Sequence, residues 1–342
     1  MLKSASWAFQ SLFGLSVLAG AALGSGCGDV SQSGSPVDTS PAAELPPPPD
    51  PVTCRGAPYP IVLAHGMAGF ERIGAINYFY NVVQDLEKRG ESVYPSQVSP
   101  YDSSQVRAVQ LAKFIDQVLQ QEGSCKVNIV AHSQGGIDSR YIISTLGYGD
   151  RIAALATVGT PHAGTPIADV ALGLVPGFSD AAINAILLAV QGLTSNEQGR
   201  PDIKANLGQL ATATMRQFNA QNPNHSRVKY YSVAGRSNLS QALAECKDSE
   251  WPNPSGLDFL NPVMAVAAPV WTVTSPNPLQ PVPNDGLVPV ASARWGLFLG
   301  CVPADHFDEV GQIAESGPDL ASGFYHIDMY RKIVAQLHFD GL

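Results

Sequence analysis

The sequence predicts an α/β fold, a mostly parallel central sheet with helices on both faces. Three observations predict it. Short apolar runs of strand character at 59–64, 127–131 and 152–158 alternate with stretches whose apolar residues recur at helical spacing. Connections long enough to hold a helix join parallel neighbours, whereas antiparallel neighbours need only a tight turn. The strand runs are also mostly apolar on both alternating faces, Asn128 and Thr157 apart, as in strands covered on both sides.

Taken in order, residues 59–64 are a buried-type strand leading into His65-Gly66-Met67-Ala68-Gly69. Residues 75–89 place Ile76, Phe79, Val82, Val83 and Leu86 at helical spacing, and Gly90 can end that helix. A short strand begins at 92–94. Ser103 or Ser104 can cap a helix running to Gln121, closed by Gly123. The strand at 127–131 meets the turn Ala131-His132-Ser133-Gln134-Gly135-Gly136, a helical segment spans 136–146, and 152–158 is the next strand. Residues 163–226 interrupt the alternation. Within them, 181–190 is an apolar helical stretch between Gly177 and Gly192, either a lid over the sheet's active edge or an ordinary core helix. Periodicity does not say what its apolar face touches. A strand at 228–234 resumes the sheet, 237–283 is rich in Pro, Asn and Ser with few clear elements, and 322–339 reads as a closing helix. No internal repeat is visible, so one domain accounts for residues 54–342.

The first 53 residues stand outside that domain. Lys3 followed by an apolar stretch and the small residues Gly24-Ser25-Gly26 reads as an export signal over 1–27, too short and interrupted for a membrane span. Cys27, directly after those small residues, resembles the lipid-attachment cysteine of bacterial lipoproteins, which implies a tether to the cell envelope; without it the protein is secreted. Residues 28–53 are Pro- and Ser-rich, with Pro46 to Pro49 in succession, and read as a disordered spacer. The net charge of −9 with no Lys/Arg cluster argues against a nucleic-acid partner.

Beyond Cys27 four cysteines remain, an even number in a chain bound for an oxidising compartment. Three pairings exist. Cys54 and Cys125 each precede a strand run; if those strands are parallel neighbours, both cysteines lie at one end of the sheet. That favours Cys54–Cys125 and leaves Cys246–Cys301 by elimination.

The chemistry centres on Ser133. A strand, a small-x-Ser-x-Gly turn and a helix form the setting of a nucleophile elbow, where a sharp turn lifts the hydroxyl clear of the backbone. An acyl-transfer serine also needs a base, an acid to orient the base, and donors for an oxyanion. His306 is the candidate base, in a loop among carboxylates, whereas His326 and His338 fall on the closing helix. Asp285, in the tight loop Asn284-Asp285-Gly286, is the candidate acid, and the order serine, acid, histidine suits the fold. The backbone N–H of Gln134 and of Met67, in the loop after the first strand, are the candidate oxyanion donors.

Residues 59–66, the elbow at 131–136, Gly159-Thr160-Pro161-His162, Asn284-Asp285-Gly286-Leu287-Val288 and His306-Phe307-Asp308-Glu309 together resemble secreted bacterial triacylglycerol lipases of the Pseudomonas–Burkholderia type, over roughly residues 57–340. The resemblance implies an α/β-hydrolase fold with a helical lid, and a lipase acting on carboxyl esters of acylglycerols at an interface. It also implies a structural calcium near the histidine loop, with Asp258 and Asp308 as carboxylate ligands and backbone carbonyls of Gln312 and Ser316 completing the shell; hard oxygen ligands suit that ion. A dedicated folding chaperone would be in keeping with it. The alternatives on the same scaffold are a short-chain carboxylesterase, a lipid acyltransferase, or a non-catalytic lipid-binding protein.

Overall fold

The computed structural model describes residues 54–342 apart from 68, 70, 71, 74, 75, 193–202, 238–244, 248, 253–255, 257, 261, 278, 280, 281 and 313–316. The readings of a signal at 1–27, lipidation at Cys27, a spacer at 28–53 and a ligand at Ser316 lie outside the described residues.

The strands of the central sheet are β1 (Ile61–Ala64), β2 (Val93–Pro95), β3 (Val127–His132), β4 (Ile152–Val158), β5 (Lys229–Gly235) and β6 (Leu297–Val302). They lie in the order 2-1-3-4-5-6, and every neighbouring pair is parallel. The helices are α1 (Val82–Glu87), α2 (Ser104–Glu122), α3 (Gln134–Ser144), α4 (Pro166–Ala171), α5 (Asp180–Gly192), α6 (Ile203–Leu210), α7 (Thr212–Gln221), α8 (Pro262–Ala265), α9 (Ala268–Val273), α10 (Val290–Ala293) and α11 (His326–Phe339).

Alternation of side chains along each strand divides the core into two layers. Ile61, Leu63, Val130 and Val233 point to the side covered by α1 and α11. Val62, Ile129, Ala131 and Leu155 point to the side covered by α2 and α3. Such double coverage is why these strands are mostly apolar on both faces, with buried Asn128, His132, Thr157 and Ser232 as exceptions. Helix α2 begins where Ser103 Oγ accepts the Val106 N–H at 3.3 Å and ends at Gly123, whose φ of 57° is the left-handed turn that suits glycine.

Three sequence expectations shift. The helix expected over 75–89 forms only from Val82, because Asn81 takes a left-handed φ of 57° and Tyr78 and Phe79 turn into the core. The closing helix begins at His326, and the segment before it carries turns held by Asp319. Strand β6 was not expected at all. Gly300 stands inside it, and the register with β5 shifts at Ser232/Val233, so its sequence does not read as a regular strand.

Both disulfides form as expected, Cys54–Cys125 and Cys246–Cys301. β1 and β3 are parallel neighbours, and an isolated parallel bridge between Arg55 and Ser124 continues the pairing beside the first disulfide. Among the described residues no helix is long and apolar enough to cross a membrane.

The interrupting segment forms a cap. Ile183, Ile186 and Leu187 of α5 pack with Ile167 and Val170 of α4 and Trp271 of α9. Met67, after β1, packs against the same cluster, so the cap sits over the loop expected to hold an oxyanion donor.

Candidate active site

Ser133 stands where β3 meets α3, with φ 54° and ψ −129°, a conformation rarely adopted by a residue with a side chain. Its neighbours over-determine it. The Ser133 N–H donates to the Val158 carbonyl at 2.9 Å, and Thr160 Oγ1 donates to the Ser133 carbonyl at 2.8 Å. The glycines that follow are required by close approach. A Cβ on Gly135 would lie 2.4 Å from the Ala64 carbonyl oxygen, and one on Gly136 would lie 2.3 Å from Thr160 Oγ1. Gln134 opens α3, so its backbone N–H is among the unpaired donors of a helix start.

The loop after β1 touches the serine. A Cβ on Gly66 would fall 2.7 Å from Ser133 Cβ and 3.2 Å from its Oγ, which leaves room only for glycine. Met67 is the next residue, half-buried beneath the cap.

Asp285 and His306 come from the loops before and after β6 and meet in the interior. His306 Nδ1 lies 2.8 Å from Asp285 Oδ2, and the His306 N–H donates to the Asp285 carbonyl, also at 2.8 Å. Asp285 Oδ1 accepts the backbone N–H groups of Leu287 and Val288 at 2.8 and 2.6 Å. Both carboxylate oxygens are therefore occupied, and the side chain cannot rotate away from the histidine. With Nδ1 donating to the carboxylate, Nε2 is the ring nitrogen left free to accept a proton.

A second carboxyl group, which the sequence reading did not assign, completes the corner. Glu309 is fully buried, with Oε2 3.0 Å from His132 Nε2 and 3.6 Å from His306 Nδ1. Burial, and then the charge of Asp285, push its carboxyl well above the ordinary range, which favours its neutral form. Gly159 makes the space, since a Cβ there would lie 2.1 Å from Glu309 Oε2. The signal that could have found it is a carboxylate three residues after the histidine in a buried loop. His132 is also buried, and burial followed by the nearby His306 holds its pKa well below the ordinary value.

The candidate metal residues gather on the flank of the same loop. Carboxylate oxygens of Asp258, Asp305 and Asp308 lie within 4.8 Å of one another. Asp258 Oδ2 is buried with no hydrogen-bond partner, and burial pushes the Asp258 carboxyl up to about 6. Three hard oxygen donors, one of them orphaned, fit a divalent cation such as calcium. Asp305, for which the sequence suggested no ligand role, thus joins Asp258 and Asp308. Gln312 lies at the end of the loop, its N–H donating to the Phe307 carbonyl at 3.0 Å.

Comparisons with known proteins give the family and the fold. A family model described as alpha/beta hydrolase fold matches residues 59–234. A triacylglycerol lipase of Vibrio cholerae is 30% identical over 272 residues, covering 74% of this chain and 79% of that protein. One of Pseudomonas fragi is 30% identical over 276 residues, covering 75% and 89%, and one of Burkholderia plantarii is 27% identical, covering 75% and 79%. Among solved structures, the mature Bacillus licheniformis lipase BlEst2 superposes with a TM-score of 0.56 at 20% identity, covering 86% of this chain and 95% of that one, a likeness of fold.

Proposed function

The chain belongs to the alpha/beta hydrolase family and, within it, to the bacterial triacylglycerol lipases, and from that premise we propose that it cleaves acylglycerol esters through Ser133, His306 and Asp285. The observation that carries the reading is the 2.8 Å bond from His306 Nδ1 to a doubly anchored Asp285, in a molecule whose serine takes the elbow conformation.

The chemistry follows from those positions. His306 Nε2 takes the proton of Ser133 as Oγ adds to the ester carbonyl carbon, and Asp285 stabilises the imidazolium that results. The N–H groups of Met67 and Gln134 stabilise the oxyanion of the tetrahedral intermediate. The C–O bond to the alcohol then breaks, His306 returns its proton to the leaving oxygen, and an acyl-serine remains. Water, deprotonated by His306, releases the fatty acid by the same steps in reverse.

A calcium ion held by Asp258, Asp305 and Asp308, with the Gln312 and Ser316 carbonyls, would neutralise the clustered carboxylates and fix the loop that carries His306. We extend the reading to lipid surfaces because the cap helices leave apolar side chains in solvent: Leu174 beside α4 and Val266 and Val273 around α9 are 61%, 44% and 56% exposed. Export, with a tether at Cys27, is part of the same proposal and draws support from two disulfides in the described residues.

The test is covalent labelling. A fluorophosphonate should modify Ser133, and Ser133→Ala should lose both labelling and ester hydrolysis while melting like the parent protein. Hydrolysis retained by Ser133→Ala would refute the assignment. Rates measured across acyl chain lengths, below and above substrate solubility, separate lipase from esterase, and an added alcohol acceptor detects acyl transfer.

A further inference from the structure

Gly66 is held by side chains that the proposed reaction does not use. Its carbonyl oxygen receives three donors: His65 Nδ1 at 2.9 Å, Arg107 Nη2 at 3.2 Å and the Gly69 N–H at 3.2 Å. The tautomer of His65 follows from its surroundings. The Val98 N–H donates to Nε2 at 3.3 Å, so the ring proton is on Nδ1 and is given to Gly66. Arg107 Nη2 also donates to the His65 carbonyl at 2.7 Å, and its Nε is paired with Asp138 at 2.7 Å, with both side chains fully buried.

On its other side, the Gly66 N–H donates to Tyr78 Oη at 3.2 Å. Tyr78 Oη lies 2.7 Å from His132 Nδ1, and His132 Nε2 lies 3.0 Å from Glu309 Oε2. A consistent assignment has each group donating to the next: Gly66 N–H to Tyr78, Tyr78 O–H to His132 Nδ1, and His132 Nε2–H to Glu309. The chain ends beside His306. The residue before the nucleophile and a tyrosine from the loop after β1 thus join the candidate oxyanion loop to the acid–base corner through the interior.

In a planar trans peptide the C=O and N–H point in opposite directions. Holding the Gly66 carbonyl toward Arg107 therefore holds the Met67 N–H away from it. The Gly66 N–H bond fixes the preceding peptide in the same way. Preorganised donors are worth most when they need not reorient during reaction.

We propose that Tyr78 is a positioning residue for the oxyanion site: with Arg107 and His65 on the opposite side, it clamps both peptides of Gly66 so that the Met67 N–H is aimed before substrate arrives. The inference rests on the Ser133 reading given above.

The test is Tyr78→Phe, which removes one hydroxyl. Separate portions of wild type and variant are titrated with a fluorophosphonate to count sites. Unlabelled enzyme is compared for kcat and KM on a soluble short-chain ester, for melting temperature, and for inhibition by an alkyl boronic acid. The boronic acid inhibits as a tetrahedral adduct: the Ser133 oxygen bonds to boron, its proton passes to His306, and no boron–oxygen bond breaks. The inference expects kcat and boronate affinity to fall together by about tenfold, a fraction of the ~10²–10³ lost with a whole oxyanion donor. KM should stay within about twofold, as for an interaction made only in the transition state. Unchanged kcat and boronate affinity would overturn the inference, as would a rise in KM alone, which would place Tyr78 in substrate binding. Failure of the wild type to label at Ser133 would instead remove the underlying reading. If Tyr78→Phe does not fold, His65→Gln, which disturbs the opposite anchor, carries the same expectation and the same refutation.

Discussion

Adding a single methyl group at Gly66 tests the site most directly. The backbone there is not in the left-handed region, so Gly66→Ala introduces no dihedral strain; the effect is collision alone. The new Cβ would lie 2.7 Å from Ser133 Cβ, 3.0 Å from Tyr78 Oη and 3.2 Å from Ser133 Oγ. Carbon atoms in contact sit at about 3.5–4.0 Å, so loop and serine must separate by roughly 1 Å. A displacement of about 1 Å in a reacting constellation costs ~10²-fold, and losing one oxyanion donor costs ~10²–10³. We expect kcat to fall by about 10²–10³, or roughly 3–4 kcal/mol of barrier, with KM little changed. The assay is steady-state hydrolysis of a soluble ester, with the fraction of sites counted by fluorophosphonate. Gly208→Ala is the control, because a Cβ there meets nothing within 4 Å. A Gly66→Ala enzyme within about threefold of wild-type kcat, on a scale where tenfold is 1.36 kcal/mol, would refute the placement of this loop against the serine.

Three further outcomes follow from the same arrangement. Asp138→Asn leaves the Arg107 guanidinium buried beneath the Gly66 loop without its carboxylate, and should cost about 3–5 kcal/mol in urea unfolding; a loss below about 1 kcal/mol would mean that the pair is not desolvated. His65 has its pKa lowered from 6.5 to about 3, by burial first and Arg107 second. The unfolded chain therefore binds the proton more readily than the fold does: stability is fully present above about pH 6.5 and declines as pH falls toward 3, by up to roughly 5 kcal/mol. Denaturant midpoints measured across that window should show the decline, and His65→Gln should flatten it. Removing calcium with a chelator should lower the melting temperature by about 5 °C or more from the value at a hundred times Kd, where a bound ion adds about 2.7 kcal/mol. Calcium should restore it, and Asp305→Asn should raise the concentration required, as followed by thermal unfolding.

Much of the frame was legible because it follows from local pattern. Five strands, the helix capped by Ser103 and the elbow at Ser133 each rest on apolar periodicity or on a turn residue whose conformation is special. The Cys54–Cys125 bond was legible for a topological reason, since parallel neighbouring strands place their starts side by side. Strand β6 was not, because Gly300 breaks its pattern and its pairing depends on a bulge in the partner's register. The start of α1 was not, because Phe79 fits the helical pattern yet serves the core, beside Tyr78, in an irregular loop.

The same division runs through the site. By itself the sequence determined the chemistry offered: a serine on a strand–helix turn, an acid and a histidine in the required order, and carboxylates around the histidine. Those are properties of residue type and spacing. Only the tertiary structure decided which polar groups share the interior. Glu309 beside Asp285, Tyr78 under Gly66, Arg107 with Asp138, and Asp305 with Asp258 each join residues from separate elements, and no local pattern records such a pairing. The physical reason is that a buried polar group must find its partner wherever the packed chain provides one, at whatever distance along the sequence.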